Sequence, residues 1–436
     1  METNKLKFID LFAGIGGIRK GFESACVEMG IATECIFTSE IKPYAVDVLL
    51  QNHPNEKIHG DITKIHTSDI PDFDFLLAGF PCQAFSAAGK RRGFLDTRGT
   101  LFFEVERIIK EKKPYGFILE NVEGLVNHDK EKPSDKIGRT LSTMLSHLEV
   151  LGYHVNWEVL NAKDFGVPQD RKRIYITGTK RRKPNLDGFV PIHNPLSAVL
   201  EHNLPVSDSP FVRLVLSHYS VDQLYGKSIK DKRGGNNNIH SWDIAYKGAV
   251  SEEQKELLNA MLKERRKKKW AEEFGIDWMD GMPLTVEQIR TFYDKPTLLE
   301  MLEDLAAKKY VVKEHPKKKV NGQRVQDETL PLGYNIVAGK ISYEIAKVLD
   351  PDGIAPTLVA MDMEHLFVGD GNGLRPLSLR EGLRLFGYPD DFNFDVSVQD
   401  GYDLLGNTVV VPVIKQVALR VLNMCALEKD NESECA

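Results

Sequence analysis

Cysteine is scarce in this chain. The five present, Cys26, Cys35, Cys82, Cys425 and Cys435, are odd in number and none forms a CxxC pair, which supports neither a disulfide framework nor a zinc cluster. No metal site is expected, and each cysteine has to be read alone. Long apolar runs are also missing. Nothing approaches the roughly 20 uninterrupted apolar residues of a membrane span, and the opening METNKLKFIDLF has no charged leader followed by an apolar run and a small-residue cleavage site. The expected place is the cytoplasm, with no membrane partner. There is no fixed-period repeat, no long low-complexity segment and no Walker-type lysine pattern. Positive charge is not in excess either. With 57 Lys and Arg against 63 Asp and Glu the net charge is -6, which argues against a generally adhesive polycation while leaving room for a local basic face.

What is present is enough to fold. At 42% apolar and 28% charged side chains over 436 residues, the chain can bury a sizeable core as two domains or one elaborated one. Through about residue 180, apolar β-branched runs at 7–12, 34–39, 74–78, 115–120 and 173–178 alternate with segments at 17–29, 45–52, 101–112 and 140–151 whose apolar residues recur every three or four positions. This alternation predicts a mostly parallel sheet covered by helices, a doubly wound α/β domain. From about Arg181 the character changes to KRRKPNLDG, a Gly/Asn segment KDKRGGNNN, a charged helical run at 251–273 and then KEHPKKKVNGQR. The helical run opens with SEEQ, a capping-box pattern, and contains Arg265, Arg266, Lys267, Lys268 and Lys269. A solvated helix face and a phosphate-facing surface both fit it. The acidic tail EKDNESECA reads as frayed.

Three local signals carry chemistry. In FIDLFAGIGG, at 8–17, an apolar strand runs into a glycine turn and then a helix. Glycine lets backbone approach a ligand, and in open α/β sheets the ligand crevice lies beyond the carboxyl ends of the strands. A packing turn uses glycine too, and Arg19 replaces the last glycine of the dinucleotide pattern. Glu40 and Asp61, after the next two strands, sharpen the nucleotide reading, because a carboxylate after the second strand is placed to hold ribose hydroxyls. Without a Walker lysine, an adenosyl ligand fits better than a phosphate-anchored one. The second signal, GFPCQAFS at 79–86, puts Cys82 just past a strand at the same sheet edge. The other four cysteines read as small inert hydrophobes. Cys82 instead sits in a proline-bounded turn with Gln83 and Ser86 and is followed by GKRRGF, whose cations favour a thiolate. Third, FILENV at 117–122 ends an apolar strand in Glu120 and Asn121. A glutamate there is ordinarily structural or solvated, but a cysteine attacking an aromatic heterocycle needs a partner to protonate the ring.

DLFAGIGG, GFPCQAFS, ENV and QDRKR at 169–173, then RPLSLREGLRLFGYP at 375–389 and GNTV at 406–409, together resemble the ordered motifs of the bacterial DNA cytosine-5 methyltransferase family. The match covers 6–180 and about 355–425, so only the segment between is unexplained. The resemblance implies the fold class α/β, with a class I S-adenosylmethionine-dependent, Rossmann-like large domain and a smaller target-recognition domain. It further implies a catalytic domain at 1–185 completed by 405–436, a target-recognition domain at 186–374, and a hinge with the late motif at 375–404. The C-terminal helix, at about 413–426, is expected to return beside the first strand.

An enzyme and a site follow from the same resemblance. Cytosine C5 is a poor nucleophile, and the family adds a cysteine thiolate to C6, giving an enamine that takes the methyl group. Cys82 matches that thiolate, Glu120 the acid acting at N3, Arg173 the group holding the cytosine O2, and Arg171 a brace for the site. No side chain is assigned to removal of the C5 proton. For S-adenosylmethionine, which leaves as S-adenosylhomocysteine, Phe12, Gly14 and Gly16 match the methionine end, Glu40 the ribose, and Asp61 with Ile62 the adenine. Pro81, Leu101, Asn407 and Thr408 complete that pocket. Ile41 departs from the pattern, since members often carry an aromatic residue there, and ring stacking is lost. The implied partner is double-stranded DNA, whose target base must leave the stack. Gln83, Ser86, Lys90, Arg91 and Arg98 in the glycine-rich segment 83–100, and Thr357 in the variable region, are the candidate DNA contacts. A monomer is expected, protecting host DNA beside a separately acting restriction endonuclease.

Two rival activities and one rival class fit the residues less well. A transfer-RNA cytosine-5 methyltransferase shares the motifs up to Arg173 but carries a Cys-Phe-Thr signature in a shorter target region, and here no cysteine lies between Cys82 and Cys425. The Asn/Asp-Pro-Pro-aromatic motif of amino-directed DNA methyltransferases is absent. A DNA-binding module that has kept the fold and lost catalysis is the third reading, and against it every catalytic position is filled.

Overall fold

A computed structural model of the protein describes residues 5–81, 101–231, 237–279, 281–320, 323–337 and 343–426. The chain divides into two compact units, one of residues 1–201, 351–363 and 377–436, the other of residues 202–350 and 364–376.

The first unit is built on seven strands: β1 Leu6–Leu11, β2 Thr33–Ser39, β3 Ile58–His59, β4 Phe75–Ala78, β5 Gly116–Val122, β6 His154–Asn161 and β7 Lys172–Thr179, in the order β3-β2-β1-β4-β5-β7-β6. Helices α1 Gly17–Glu28, α2 Pro43–Asn52, α3 Leu101–Lys112 and α4 Arg139–Val150 alternate with them. Pairing is parallel from β3 through β5, while β7 runs antiparallel to both β5 and β6. The sequence reading took unbroken apolar runs as strands and so missed β6, whose HVNWEV instead alternates polar and apolar residues. Phe8, Ile9, Leu11, Leu76, Leu77, Phe117, Ile118 and Leu119 in the central strands are fully buried. Each such side chain contributes roughly 1.5–3 kcal/mol.

Chain order outward from β1 runs to β2 and β3, then crosses back to β4 on the other side of β1. The carboxyl ends of β1 and β4 therefore flank the switch point where open α/β sheets bind ligands. Phe12–Gly16 leaves one and Gly79–Pro81 the other.

In the second unit, α5 Pro210–His218 and α6 Val221–Leu224 precede β8 Ser228–Ile229 and β9 Asn238–Ile239. Helices α7 Glu252–Glu264, α8 Lys269–Glu273, α9 Val286–Arg290 and α10 Leu298–Ala307 follow, then β10 Val311–Glu314, β11 Lys317–Val320, β12 Gln323–Gln326, β13 Gly333–Ile336, β14 Lys347–Val348, β15 Leu366–Asp370 and β16 Gly373–Pro376. The described residues of this unit form two cores. One gathers the helices around Trp242, Leu258, Met261, Leu302 and Leu305, and the other lies under the sheet β16-β15-β14-β8-β9 with Val215, Leu224, Val348 and Leu374. The run read from sequence as one helix at 251–273 is two. Ser251 and Gln254 close a capping box at its start, α7 ends at Glu264, and α8 begins at Lys269.

The chain then completes the first unit with α11 Leu379–Arg384, α12 Val398–Asn407 and α13 Val411–Ala426. Val413, Ile414, Val417, Ala418 and Val421 of α13 are buried. Gly21 on α1 sits so close that a Cβ there would lie 2.6 Å from Ile414. The span Val398–Asn423 is the one stretch among the described residues long and apolar enough to cross a membrane by composition, and 61% of its apolar 18-residue window is buried inside the protein. The unit boundaries differ from the sequence expectation of a domain at 186–374, because 186–201 and 351–363 belong to the first unit. Backbone bonds from Gly166 to Ile192 (2.8 Å), from Leu196 to Gly353 (2.9 Å) and from Asp170 to Ala355 (2.8 Å) hold them there.

Candidate active site

The glycine turn after β1 is strained where it matters. Phe12 adopts φ 56°, a left-handed conformation that is uncommon for a bulky residue, and Gly14 and Gly16 follow at 55° and 80°. Gly16 then caps α1. Gly17 is required by close packing: a Cβ there would stand 2.5 Å from Tyr388 Oη and 2.8 Å from Val409. These neighbours belong to the late motif, which the absence of a side chain at Gly17 lets approach the start of α1. Arg19 itself is buried, in ion pairs with Glu23 (2.8 Å) and Glu56 (2.6 Å).

Glu40 faces the turn across the end of β2. Its carboxylate accepts from the backbone N–H of Gly14 (2.7 Å), Ile41 (2.8 Å) and Lys42 (2.9 Å), tying the glycine turn to the start of α2. Ile41 is 70% exposed. Asp61 caps the short turn after β3, accepting from Thr63 N (3.1 Å) and Thr63 Oγ1 (2.7 Å), and these bonds hold its carboxyl below the usual range. Ile62 is buried in the core beneath. At Gly14 and Gly60 nothing stands within 4 Å of where a Cβ would be. An open backbone edge with one bridging carboxylate and a second carboxylate beyond it suits an adenosyl group, so the residues present fit that cofactor.

The late motif comes to the same edge. Asn407 Nδ2 donates to the Asp403 carbonyl (2.7 Å) and carboxylate (3.1 Å), and Asp403 accepts from Lys42 Nζ (2.7 Å) and Tyr44 Oη (2.7 Å) at the head of α2. Thr408 is buried with its hydroxyl 2.7 Å from Tyr388 Oη. Pro81, exposed, and Leu101, half-buried at the start of α3, bound residues 82–100. Cys82, Gln83, Ser86, Lys90, Arg91 and Arg98 lie outside the described residues.

On the other side of the switch point, β5 and β7 bring Glu120 and Arg173 together. Glu120 lies opposite Tyr175 and Arg173 opposite Val122, so the two side chains are diagonal neighbours on one face. Arg173 Nε is 3.2 Å from Glu120 Oε1, with both side chains largely covered. Burial pushes the Glu120 carboxyl up, against the opposing pull of the Arg173 and Arg171 charges. Gly79 is beside this carboxylate, its Cβ position lying 3.8 Å from Glu120 Oε2. Asn121 Nδ2 donates to the Phe80 carbonyl (3.0 Å), fixing the chain just before residue 82.

Arg171 points the other way. It is buried, donates to the carbonyls of Leu358 (2.8 Å), Gly406 (3.2 Å) and Thr408 (2.8 Å), and lies 5.0 Å from the Phe386 ring centre. Gln169 works beside it, donating to the Leu385 carbonyl (2.7 Å) and accepting from Leu358 N (3.2 Å). Thr357 donates to the Asp170 carbonyl (2.5 Å). Together with Val122, Glu123, Gly124, Asp170, Lys172 and Arg173 it lines an open cleft of about 390 Å³.

Sequence reasoning missed Asp10. It sits mid-strand in β1, fully buried, and neither carboxylate oxygen has a hydrogen-bond partner among the described residues. Burial pushes its pKa up to about 8. A carboxylate inside the apolar run FIDLF was the available signal.

The sheet order, the antiparallel β7 and the crevice at the switch point define the fold of class I S-adenosylmethionine-dependent methyltransferases. A structural match to the Entamoeba histolytica methyltransferase EhMeth has a TM-score of 0.54 at 14% identity and covers 97% of this chain and 99% of that one, which shows the fold alone. The family model described as C-5 cytosine-specific DNA methylase matches residues 6–423, and the chain belongs to that family. It is similar to the Type II methyltransferase M.NlaIV of Neisseria lactamica, 65% identical over 419 residues covering 96% of this chain and 99% of that one. The Type II methyltransferase M.NgoBV of Neisseria gonorrhoeae is 63% identical over the same coverage. The protein is a DNA cytosine-5 methyltransferase of the restriction-modification type.

Proposed function

We propose that the protein transfers a methyl group to C5 of a cytosine flipped from a short, specific double-stranded DNA sequence, and that Cys82 is the nucleophile. The observation that carries this reading is the buried Glu120–Arg173 pair set against Gly79, one hydrogen-bonded residue away from the chain that leads into Cys82. The Cys82 thiolate adds to C6, and electron density moves to N3. Glu120, kept protonated more readily by its burial, donates to N3, and Arg173 holds the O2 edge of the base. S-adenosylmethionine, when bound, supplies the methyl group from its sulfonium. Phe12, Gly14 and Gly16 hold its methionine end, Glu40 the ribose, and Asp61 the adenine edge. Asn407, Thr408, Pro81 and Leu101 close the pocket. After transfer the C5 proton is lost to a base and the Cys82–C6 bond breaks, restoring aromaticity.

In this reading Arg171 braces the site rather than touching the base, since its guanidinium is engaged by three carbonyls. Thr357 lines the cleft with Arg173 and contacts the DNA there, with Gln83, Ser86, Lys90, Arg91 and Arg98 contributing from the segment before α3. The second unit reads the target sequence. The protein acts as a monomer in the cytoplasm and protects host DNA from a separate endonuclease.

A duplex carrying 5-fluorocytosine tests the chemistry. C5 then has no proton to lose, so a covalent, heat-stable adduct is expected with cofactor and absent from Cys82→Ala. Salt-sensitive binding with no adduct from the parent protein would support the non-catalytic binder instead.

A further inference from the structure

The ribbon β11–β12 is exposed along nearly its whole length, every residue of β12 among them. A two-stranded ribbon with so little buried is marginal by itself. Its register makes matters worse: Lys319 lies directly opposite Arg324, and like charges at such positions repel. Neighbouring cations are neutralised within the fold, Lys317 by Glu314 (2.9 Å), Lys318 by Asp327 (3.1 Å) and Lys267 by Glu264 (2.6 Å). Lys319, Arg324 and Lys268, by contrast, form no ion pair among the described residues.

Trp278 joins the ribbon to the basic run between α7 and α8. Its indole N–H donates to the Arg266 carbonyl (3.0 Å), and its own carbonyl accepts from Arg324 Nη2 (3.3 Å). The ring stays 41% exposed, held in place by a bond at its polar end. Lys268 on one side and Lys319 with Arg324 on the other thus flank one fixed aromatic face, all within the second unit.

We propose that this face grips the phosphate backbone of duplex DNA, with Lys319 and Arg324 clamping phosphate from the ribbon, Lys268 adding charge from the α7–α8 junction, and Trp278 packing against deoxyribose. The proposal rests on the reading that duplex DNA is the substrate. The opposed cations cost the free protein stability, and an anion between them turns the repulsion into shared attraction. Contacts of this kind are sequence-independent and salt-sensitive.

The test compares the parent protein with Lys319→Gln/Arg324→Gln and Lys319→Glu/Arg324→Glu, binding 30-base-pair duplexes across a salt series. Both the methylated target sequence and an unrelated sequence are used. Two lost phosphate contacts should reduce the slope of log affinity against log salt by about 1.8. The Kd should rise about tenfold for the glutamine pair and further for the glutamate pair, equally on both duplexes. The unfolding temperature of the glutamine pair should equal or exceed the parent's, because the repulsion is gone, which separates lost binding from lost folding. Parental Kd and slope in both variants would overturn the proposal, as would a loss confined to the target sequence. Plasmid methylation by the parent, read alongside, shows whether the failure is of this face alone. A parent that neither methylates nor binds duplex would overturn both readings.

Discussion

The side-chain amide of Asn121 donates to the Phe80 carbonyl at 3.0 Å, joining the end of β5 to the chain that leaves β4. Both residues are buried, and the strand that presents Glu120 is the one that holds the approach to Cys82. Asn121→Ala leaves the Phe80 carbonyl without that donor, at a cost of about 1–3 kcal/mol. The expected result is a lowered unfolding temperature together with at least a tenfold lower kcat, measured under single-turnover conditions. A parental kcat in a less stable protein would reduce the bond to a structural role.

Glu120 should set the alkaline limit of activity. Burial raises its pKa while Arg173 and Arg171 lower it, and the active form is the protonated one, so the methyl-transfer rate should fall as pH rises through that pKa. Arg173→Gln removes a lowering influence, so the falling limb should move to higher pH even as base binding weakens. Glu120→Gln should cost about 10²–10⁴ in kcat and abolish the limb. An unchanged pH profile in Glu120→Gln would remove this carboxyl from the chemistry.

Arg171→Leu should behave as a folding lesion. It leaves the carbonyls of Leu358, Gly406 and Thr408 without their charged donor, and each buried acceptor so stranded costs about 1–3 kcal/mol. A loss of 3 kcal/mol or more is expected in urea unfolding. Proteolytic cleavage near 355–360 should become faster, since the arginine pins that segment to the late motif. Parental stability would contradict the bracing role.

Asp10 makes stability depend on pH in a defined direction. Its pKa is raised to about 8 from 3.8, so between those values the folded state binds more proton than the unfolded state and stability falls as pH rises. Asp10→Asn should therefore raise the unfolding temperature relative to the parent at pH 8, with the difference vanishing near pH 4. An equal difference at both ends would show that the carboxyl does not titrate in this way.

How much of this was legible in the sequence follows from the range of the interactions. Strands β1, β2, β4, β5 and β7 announce themselves by short apolar runs and helices α1 to α4 by apolar residues every three or four positions, signals carried by neighbours in the chain. Glu40 and Glu120 were placed by strand ends and motif resemblance, and the structure puts both carboxylates at the carboxyl edge of the sheet. For Arg171 the resemblance gave a bracing role but not the carbonyls it braces, because those stand roughly 190 and 235 residues away in the chain. Likewise 186–201 and 351–363 look like part of the variable region by composition, yet backbone bonds made across the fold place them in the first unit. The helical core around Trp242 and Leu258 was invisible for a similar reason: its short amphipathic pieces acquire a common face only when folded together.

The most direct test of the account is base-resolution mapping of 5-methylcytosine in plasmid DNA from a methylation-free host expressing the protein, with Cys82→Ala as control. Methylation at one short recurring sequence, absent from the control, is the expected result. Unmodified plasmid from soluble, folded protein, or methylation that persists in Cys82→Ala, would contradict it.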